Sequence, residues 1–296
     1  MATTATRYGG QTMTAQLRTV VMRTPPPVER PGAWREFDYL HPMDGPLAAT
    51  EHRALRDLLT AQGVEVIVPD GATPGRHDVI FPYDPSIITD AGAVILRMGK
   101  HARREEPALA EQLYNALGIP IIGRIEDPGT VEGGDTMWID DTTLAVGVGY
   151  RTNMAGIHQL KRIFAAAERE IGVIPVPLPH WNGPDECLHL LSLISPVAGD
   201  LAIGYPKLMP VPFVQLLGER GWRLVEIPDD EFASQGCNVL TIRPGVVVML
   251  EPNPVSRVRL AAEGVEILTY AGEEISHNRS GGPTCLTRPI WRAEVV

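Results

Sequence analysis

One pattern recurs along the chain and constrains its fold more than any other. It is an amphipathic helix, a glycine able to close it, then a short β-branched run. The instances are Glu51–Gln62 with Gly63-Val-Glu-Val-Ile-Val, Pro107–Leu117 with Gly118-Ile-Pro-Ile-Ile, and Ala155–Ile171 with Gly172-Val-Ile-Pro-Val. Two more follow, Val211–Arg220 with Gly221-Trp-Arg-Leu-Val-Glu-Ile and Val255–Glu263 with Gly264-Val-Glu-Ile-Leu. The closing glycines are separated by 55, 54, 49 and 43 residues, and further strand-like runs at Ala93, Thr143, Leu201 and Val246 lie between them. Each unit therefore reads as strands, helix, strand. An ordinary open α/β sheet alternates in the same way. Five comparable units with no long Pro/Gly/Ser-rich linker favour a closed ring, so one domain spanning 1–296 is expected, with functional residues on the loops that face its axis.

Charge and cysteine usage narrow the function. A net charge of −10 and a pI near 5.3 argue against a nucleic-acid partner and suit a small cationic substrate. No run approaches the roughly eighteen apolar residues of a membrane span, and Met1–Gln16 lacks the apolar core of a signal peptide. A cytoplasmic protein with no membrane partner is the expectation. Cys187, Cys237 and Cys285 are too few and too irregularly spaced for a disulfide framework or a zinc ribbon, so reduced thiols are expected. There is no amphipathic heptad seam to decide between monomer and homodimer.

Four segments carry residues suited to chemistry. Cys285 sits in Ser-Gly-Gly-Pro-Thr-Cys-Leu-Thr-Arg-Pro-Ile, after a flexible turn that can deliver a thiol into a cleft. A thiol is nucleophilic as thiolate, so such a role requires an electropositive pocket and a histidine from elsewhere. His189 lies in Cys-Leu-His-Leu-Leu-Ser, an apolar setting that equally suits a core histidine at the start of a strand. Glu132-Gly-Gly-Asp135 precedes the apolar run Thr136-Met-Trp-Ile, and its paired glycines let the backbone approach a neighbour closely. Asp78 and Asp84, in His77-Asp-Val-Ile-Phe-Pro-Tyr-Asp-Pro, taken singly read as capping or turn residues. Cys187, two residues from His189, reads as core packing or, on a strand, as a neighbour of that histidine, and Cys237 as buried beside a β-bulge glycine.

Taken in order, these segments resemble the guanidine-modifying superfamily of arginine deiminases, amidinotransferases and dimethylarginine dimethylaminohydrolases. The resemblance runs from Phe81 to Pro289, with weaker similarity at Tyr8-Gly-Gly-Gln-Thr-Met. It implies an α/β fold, a five-bladed propeller of ββαβ modules, which the independent repeat count also suggests. It implies Cys285 as nucleophile, His189 as general acid/base and Glu132 as the carboxylate that orients and charges His189 or holds guanidinium nitrogens. Asp84 would accept hydrogen bonds from the substrate guanidinium, with Asp78 and Asp135 in the same binding set. A planar, permanently charged guanidinium is best held by carboxylates matching its donors, and its charge would lower the thiol pKa on binding. No cofactor and no metal are expected, since the substrate supplies its own electrophilic cation.

The resemblance does not point to one member. Arginine deiminases and amidinotransferases commonly carry an aspartate where this chain has Leu191, and relatives usually carry Arg or Glu where it has Tyr83. Arg97 and Arg151 resemble positions at which dimethylarginine hydrolases grip the amino-acid carboxylate; surface ion pairs are the alternative for both. The nucleophile loop, by contrast, looks more like the deiminase and amidinotransferase side. The leading expectation is hydrolysis of an N-methylated arginine to citrulline and an alkylamine. Amidino transfer and arginine deimination are the alternatives.

Overall fold

The structure, a computed structural model, describes residues 7–27, 32–71, 73 and 76–293. Within them fifteen strands form five sheets of three. Strand β1 (Gln16–Val21) is followed by helices α1 (Ala33–Glu36) and α2 (Gly45–Ala61) and by β2 (Glu65–Ile67). The next sheet contains β3 (Ser86–Thr89) and β4 (Gly92–Ile95), then helix α3 (Glu106–Leu117) and β5 (Ile121–Arg124). Its successor has β6 (Thr136–Asp140), β7 (Thr143–Val148), α4 (Met154–Ala166) and β8 (Gly172–Pro177). Then come β9 (Ile194–Ala198), β10 (Leu201–Gly204), α5 (Val211–Glu219) and β11 (Arg223–Glu226). The series ends with β12 (Leu240–Arg243), β13 (Val246–Leu250), α6 (Pro254–Ala262), β14 (Glu266–Tyr270) and the final strand β15 (Arg288–Ala293).

Every sheet has the same wiring. Two strands pair antiparallel through a tight hairpin, and the helix carries the chain across to a third strand parallel to the second. The remaining sheet, ordered β15-β1-β2, follows the same rule with its first strand supplied from the other end of the chain; Gln16 pairs with Ala293. The apolar cores show that the ring is closed. Five clusters each join two neighbouring sheets: Val21 and Ile290 with Ile95 and Tyr114, Leu96 with Leu144 and Phe164, Met137 with Ile194 and Phe213, Val197 with Val247 and Leu260, and Ile242 with Leu17 and Leu55. An open sheet would leave two faces without a neighbour. The expected five-bladed α/β propeller is the fold observed.

Local chemistry explains the helices. Asp44 caps α2 by accepting from the Leu47 amide at 3.0 Å, and Asn153 caps α4 through the Gly156 amide at 2.9 Å. Gly63, Gly118, Gly221 and Gly264 close their helices with φ between 72° and 80°, a left-handed conformation that glycine takes without a Cβ penalty. Gly172 does not act this way. Helix α4 stops at Ala166, Glu168 takes the left-handed position at φ 54°, and Gly172 already belongs to β8. The last buried side chain of α4 is Phe164; the Ala-Ala-Ala-Glu-Arg-Glu that follows has no apolar stripe to extend the helix over the sheet.

Candidate active site

The ring brings one residue from each blade to the same end of the axis. Each lies just before the first strand of its sheet: Asp84 before β3, Glu132 before β6, His189 before β9, Asn238 before β12 and Cys285 before β15. Because the strands fan around one axis, equivalent positions in the repeat become neighbours in space. Three sequence-predicted groups cluster tightly, with donor atoms of Asp84, Glu132 and His189 all within 4.8 Å of one another.

Glu132 is fully buried and its Oε2 lies 2.8 Å from His189 Nε2, while Oε1 accepts from the Lys100 amide at 2.9 Å. Burial favours the neutral acid, but the hydrogen bond and charge of His189 outweigh it and bring Glu132 to about 2. His189 is disfavoured as a cation by burial, yet Cys187, Asp135 and Asp84 hold its pKa well above the ordinary histidine value. The pair is thus carboxylate and imidazolium. The two glycines between Glu132 and Asp135 now have a reason: a Cβ at Gly134 would strike the His189 ring, and one at Gly133 would strike the Tyr83 carbonyl. Glu132, Asp84 and His189 are metal-ligand types, but Glu132 and His189 point at each other rather than at a common centre. A metal would have to break that bond, whereas a planar cation need only approach the remaining lone pairs.

Asp84 accepts from the Gly134 amide at 2.8 Å and from Arg103 at 2.6 Å, and its Oδ1 lies 4.0 Å from His189 Nδ1. Arg103 is itself forked onto Glu106. Asp78 is fully buried among Arg279, Arg103 and Lys100; these cations overcome the effect of burial and keep its carboxyl below the usual value. Asp78 therefore organises the cations around the cleft, and its oxygens are taken. Asp135 accepts from the Leu190 amide at 3.1 Å, which fixes the turn that carries His189. Burial pushes its carboxyl up to about 6.

Cys285 is partly exposed, and its sulfur accepts a hydrogen bond from Asn238 Nδ2 at 3.3 Å. The same amide accepts from the Thr284 backbone through Oδ1 at 3.1 Å, and it occupies the space a Cβ at Gly282 would need. Burial and the nearby Asp84 push the thiol up to about 11 against the opposing pull of His189. A cavity of about 330 Å³ opens over this end, lined by Trp181, Glu186, Cys187, Asn238 and Arg279 among others.

Several expectations are corrected here. Arg97 is not brought to the cluster: it pairs with Asp127 at 2.6 Å and donates to the Gly129 carbonyl, because its segment runs along the rim toward an exposed acid. Arg151 is buried and reaches within 3.9 Å of Glu132. Of the two readings of Cys187 the His189 neighbour is the one observed, though no strand forms around it: its sulfur sits 3.6 Å from His189 Nδ1 at the cavity wall. His189 likewise precedes a short 3-10 turn, Leu190–Ser192, and not a strand start. Cys237 is buried as expected, in a turn instead of a bulge. Tyr83 lies under Arg288, whose guanidinium carbon is 3.7 Å from the ring centre, and so faces the axis rather than the cleft. Leu191 packs in the core.

The ring and the cluster place the chain in the guanidine-modifying superfamily. Its fold matches DDAH from Pseudomonas aeruginosa with a TM-score of 0.73 at 24% identity, covering 92% of this chain and 98% of that one. It also matches SxtG, an amidinotransferase from Microseira wollei, with a TM-score of 0.75 at 17% identity over 97% and 98%. The arginine deiminase family model covers residues 77–214 and 210–292, and the chain belongs to that family. The N(G),N(G)-dimethylarginine dimethylaminohydrolase of Streptomyces coelicolor is 29% identical over 246 residues, 83% of this chain and 86% of that protein. The arginine deiminase of Mycoplasma capricolum is 28% identical over 255 residues, but the match spans 62% of that protein's length.

Proposed function

We propose that this chain is a cysteine hydrolase that attacks the guanidinium carbon of an arginine derivative, first of all an N-methylated arginine, giving citrulline and an alkylamine. The observation that carries the reading is the convergence of Asp84, Glu132, His189 and Cys285 at one end of the ring. In this reading it works as one catalytic domain in the cytosol, as monomer or homodimer, without cofactor or metal. No helix among the described residues is long and apolar enough to cross a membrane.

Free lone pairs on Asp84 and Glu132 hold the guanidinium N–H groups, with Arg151 as the candidate partner for a substrate carboxylate. The substrate's positive charge stabilises the Cys285 thiolate, and the thiol proton leaves to solvent. Asn238 donates to the sulfur and holds it in line. Thiolate attack forms the C–S bond and a tetrahedral carbon; His189, as imidazolium, gives its proton to the departing alkylamine as the C–N bond breaks. Neutral His189 then takes one proton from water as its oxygen adds to the thiouronium carbon; the C–S bond breaks, and the remaining hydroxyl proton passes to the departing sulfur, leaving the Cys285 thiol, the His189 imidazolium and the ureido product.

A second reading is arginine deimination, with ammonia as the leaving group, and the family model supports it. The fuller length match to the dimethylarginine hydrolase favours the first. Amidino transfer shares the first half-reaction and differs in the acceptor. Arginine, monomethyl- and dimethylarginine, agmatine and guanidinoacetate, each with and without added glycine, separate the three when ammonia, alkylamine, ureido product and ornithine are measured individually. Methylamine or dimethylamine release is expected. Turnover of arginine alone, or ornithine formation only with an acceptor, would replace this reading by one of the others.

A further inference from the structure

A cavity of about 520 Å³ lies away from Cys285, at the other end of the ring, among the hairpin turns Asp90, Asp140–Asp141 and Ala198–Gly199. The strands fix this opposition: Asp84 precedes β3 and Asp90 follows it, just as Glu132 precedes β6 and Asp141 follows it. One wall is the segment from Tyr8 to Ala15, which the proposed reaction leaves unused. That segment is firmly tied. Gly9 pairs with Ile290 and Arg292 through backbone hydrogen bonds, the Gly10 amide donates to Asp90, and Gln11 donates to the Asp141 carbonyl.

Arg292 lines this cavity. It is 6% exposed, its guanidinium donates to the Ala15 carbonyl at 2.7 Å, and no carboxylate among the described residues pairs with it. Burial without a counter-charge lowers its pKa to about 10. A buried guanidinium is stabilised by a carboxylate or phosphate matched to its fork, and this one faces open volume. The walls above it are three of the chain's five indoles, Trp138, Trp222 and Trp291. Trp291 already holds one cation, with the Arg7 guanidinium 5.2 Å from its ring. Asp90 and Asp141 stand exposed at the rim.

We propose that this axial cavity is a second ligand site, and that it takes a small zwitterion such as an amino acid or a betaine. The carboxylate binds Arg292 at depth, and the alkylammonium lies against the indoles beneath the rim aspartates. The site is independent of the reaction proposed above, but it is wired toward it. Arg292 and Arg288 lie on the same face of β15, and Arg288 stacks on Tyr83 and donates to its carbonyl, next to Asp84.

Tryptophan fluorescence during titration with glycine betaine tests this, with acetate and tetramethylammonium as half-ligands and Arg292→Gln and Trp222→Ala as variants. Saturable quenching by betaine is expected in the native protein. Arg292→Gln should weaken it by about ten-fold or more, the loss of one charge-assisted pair. Trp222→Ala, at the half-buried rim, should weaken it too and serves if the Arg292 variant fails to fold. Binding at the Cys285 end would be indifferent to both. No saturation in the roughly millimolar range, acetate binding as well as betaine, or equal affinity in native protein and a folded variant would each overturn the proposal.

Discussion

The two ends of the ring treat buried charge in opposite ways. Around Cys285 five buried or nearly buried groups are matched to carboxylates, Arg103 to Glu106 and Asp84, Lys100 and Arg279 to Asp78, His189 to Glu132 and Arg151 more loosely to Glu132, while Arg288 rests on the Tyr83 ring and carbonyl. At the far end Arg292 has only a backbone carbonyl. Paired buried charges add little net stability, because desolvation consumes most of the attraction, but they hold positions. The contrast separates a place built for geometry from a place still short of a counter-charge. At the end proposed as catalytic, burial and Asp84 favour the neutral Cys285 thiol, so a guanidinium that enters would be balanced by the proton that leaves it.

The largest effect that tests the comparison is at Cys285. Cys285→Ser should reduce formation of ureido product by about a thousand-fold or more, while Trp222→Ala at the far end changes kcat less than about two-fold. A comparable loss from the distal variant would erase the distinction between the ends. Glu132→Gln should follow, with kcat reduced by about a hundred-fold in steady-state assays, because it removes the carboxylate that keeps His189 oriented and charged. The thiol itself is probed by alkylation of the free protein with iodoacetamide. With Cys285 pushed up to about 11, the rate should climb about ten-fold per unit from roughly pH 7 to pH 10, and a saturating guanidinium ligand should move the curve to lower pH. A plateau near pH 7 would contradict the neutral resting thiol.

Smaller effects sharpen the picture. Arg151→Ala should raise KM by about ten-fold and Arg97→Ala by less than about three-fold, in kinetics with a substrate that bears a carboxylate. Equal effects would bring Arg97 into the site. The smallest change is expected at Asp135, whose carboxyl is raised to about 6 by burial. The folded protein therefore holds this proton more tightly than the unfolded chain. This group adds stability as pH falls from about 7 toward 4, and Asp135→Asn should flatten that part of the Tm-against-pH curve by a few degrees at most.

The ring was legible in the sequence because each module repeats the same local physics: an apolar stripe, a terminating residue, a β-branched run. Four terminating glycines behave as their conformation dictates, and the fifth misleads because Glu168 supplies the left-handed residue. The order of Asp84, Glu132, His189 and Cys285 was visible through resemblance, and the structure places Asp84, Glu132 and His189 together. Asn238 was missed. A signal existed, since it occupies the same place in its module as the other four, but only alignment of modules by their first strands exposes it. Lys100, Arg103 and Arg279 carry no local sign of their role; their positions depend on side chains from neighbouring blades. For Arg97 the sequence left a carboxylate grip and a surface ion pair open, and the ion pair formed with exposed Asp127 is a fact of the rim and not of the motif.

The seam between β1 and β15 has a consequence for when chemistry becomes possible. Gln16 and Ala293 pair across 277 residues, and contacts so distant in sequence are among the slowest to form. Cys285 sits three residues before the strand that makes this closure. The proposed nucleophile thus sits beside the joint that closes the ring. If the proposed roles hold, a chain whose ends are unpaired would lack a thiol held beside His189 and Asp84, so the reaction would depend on the two termini meeting.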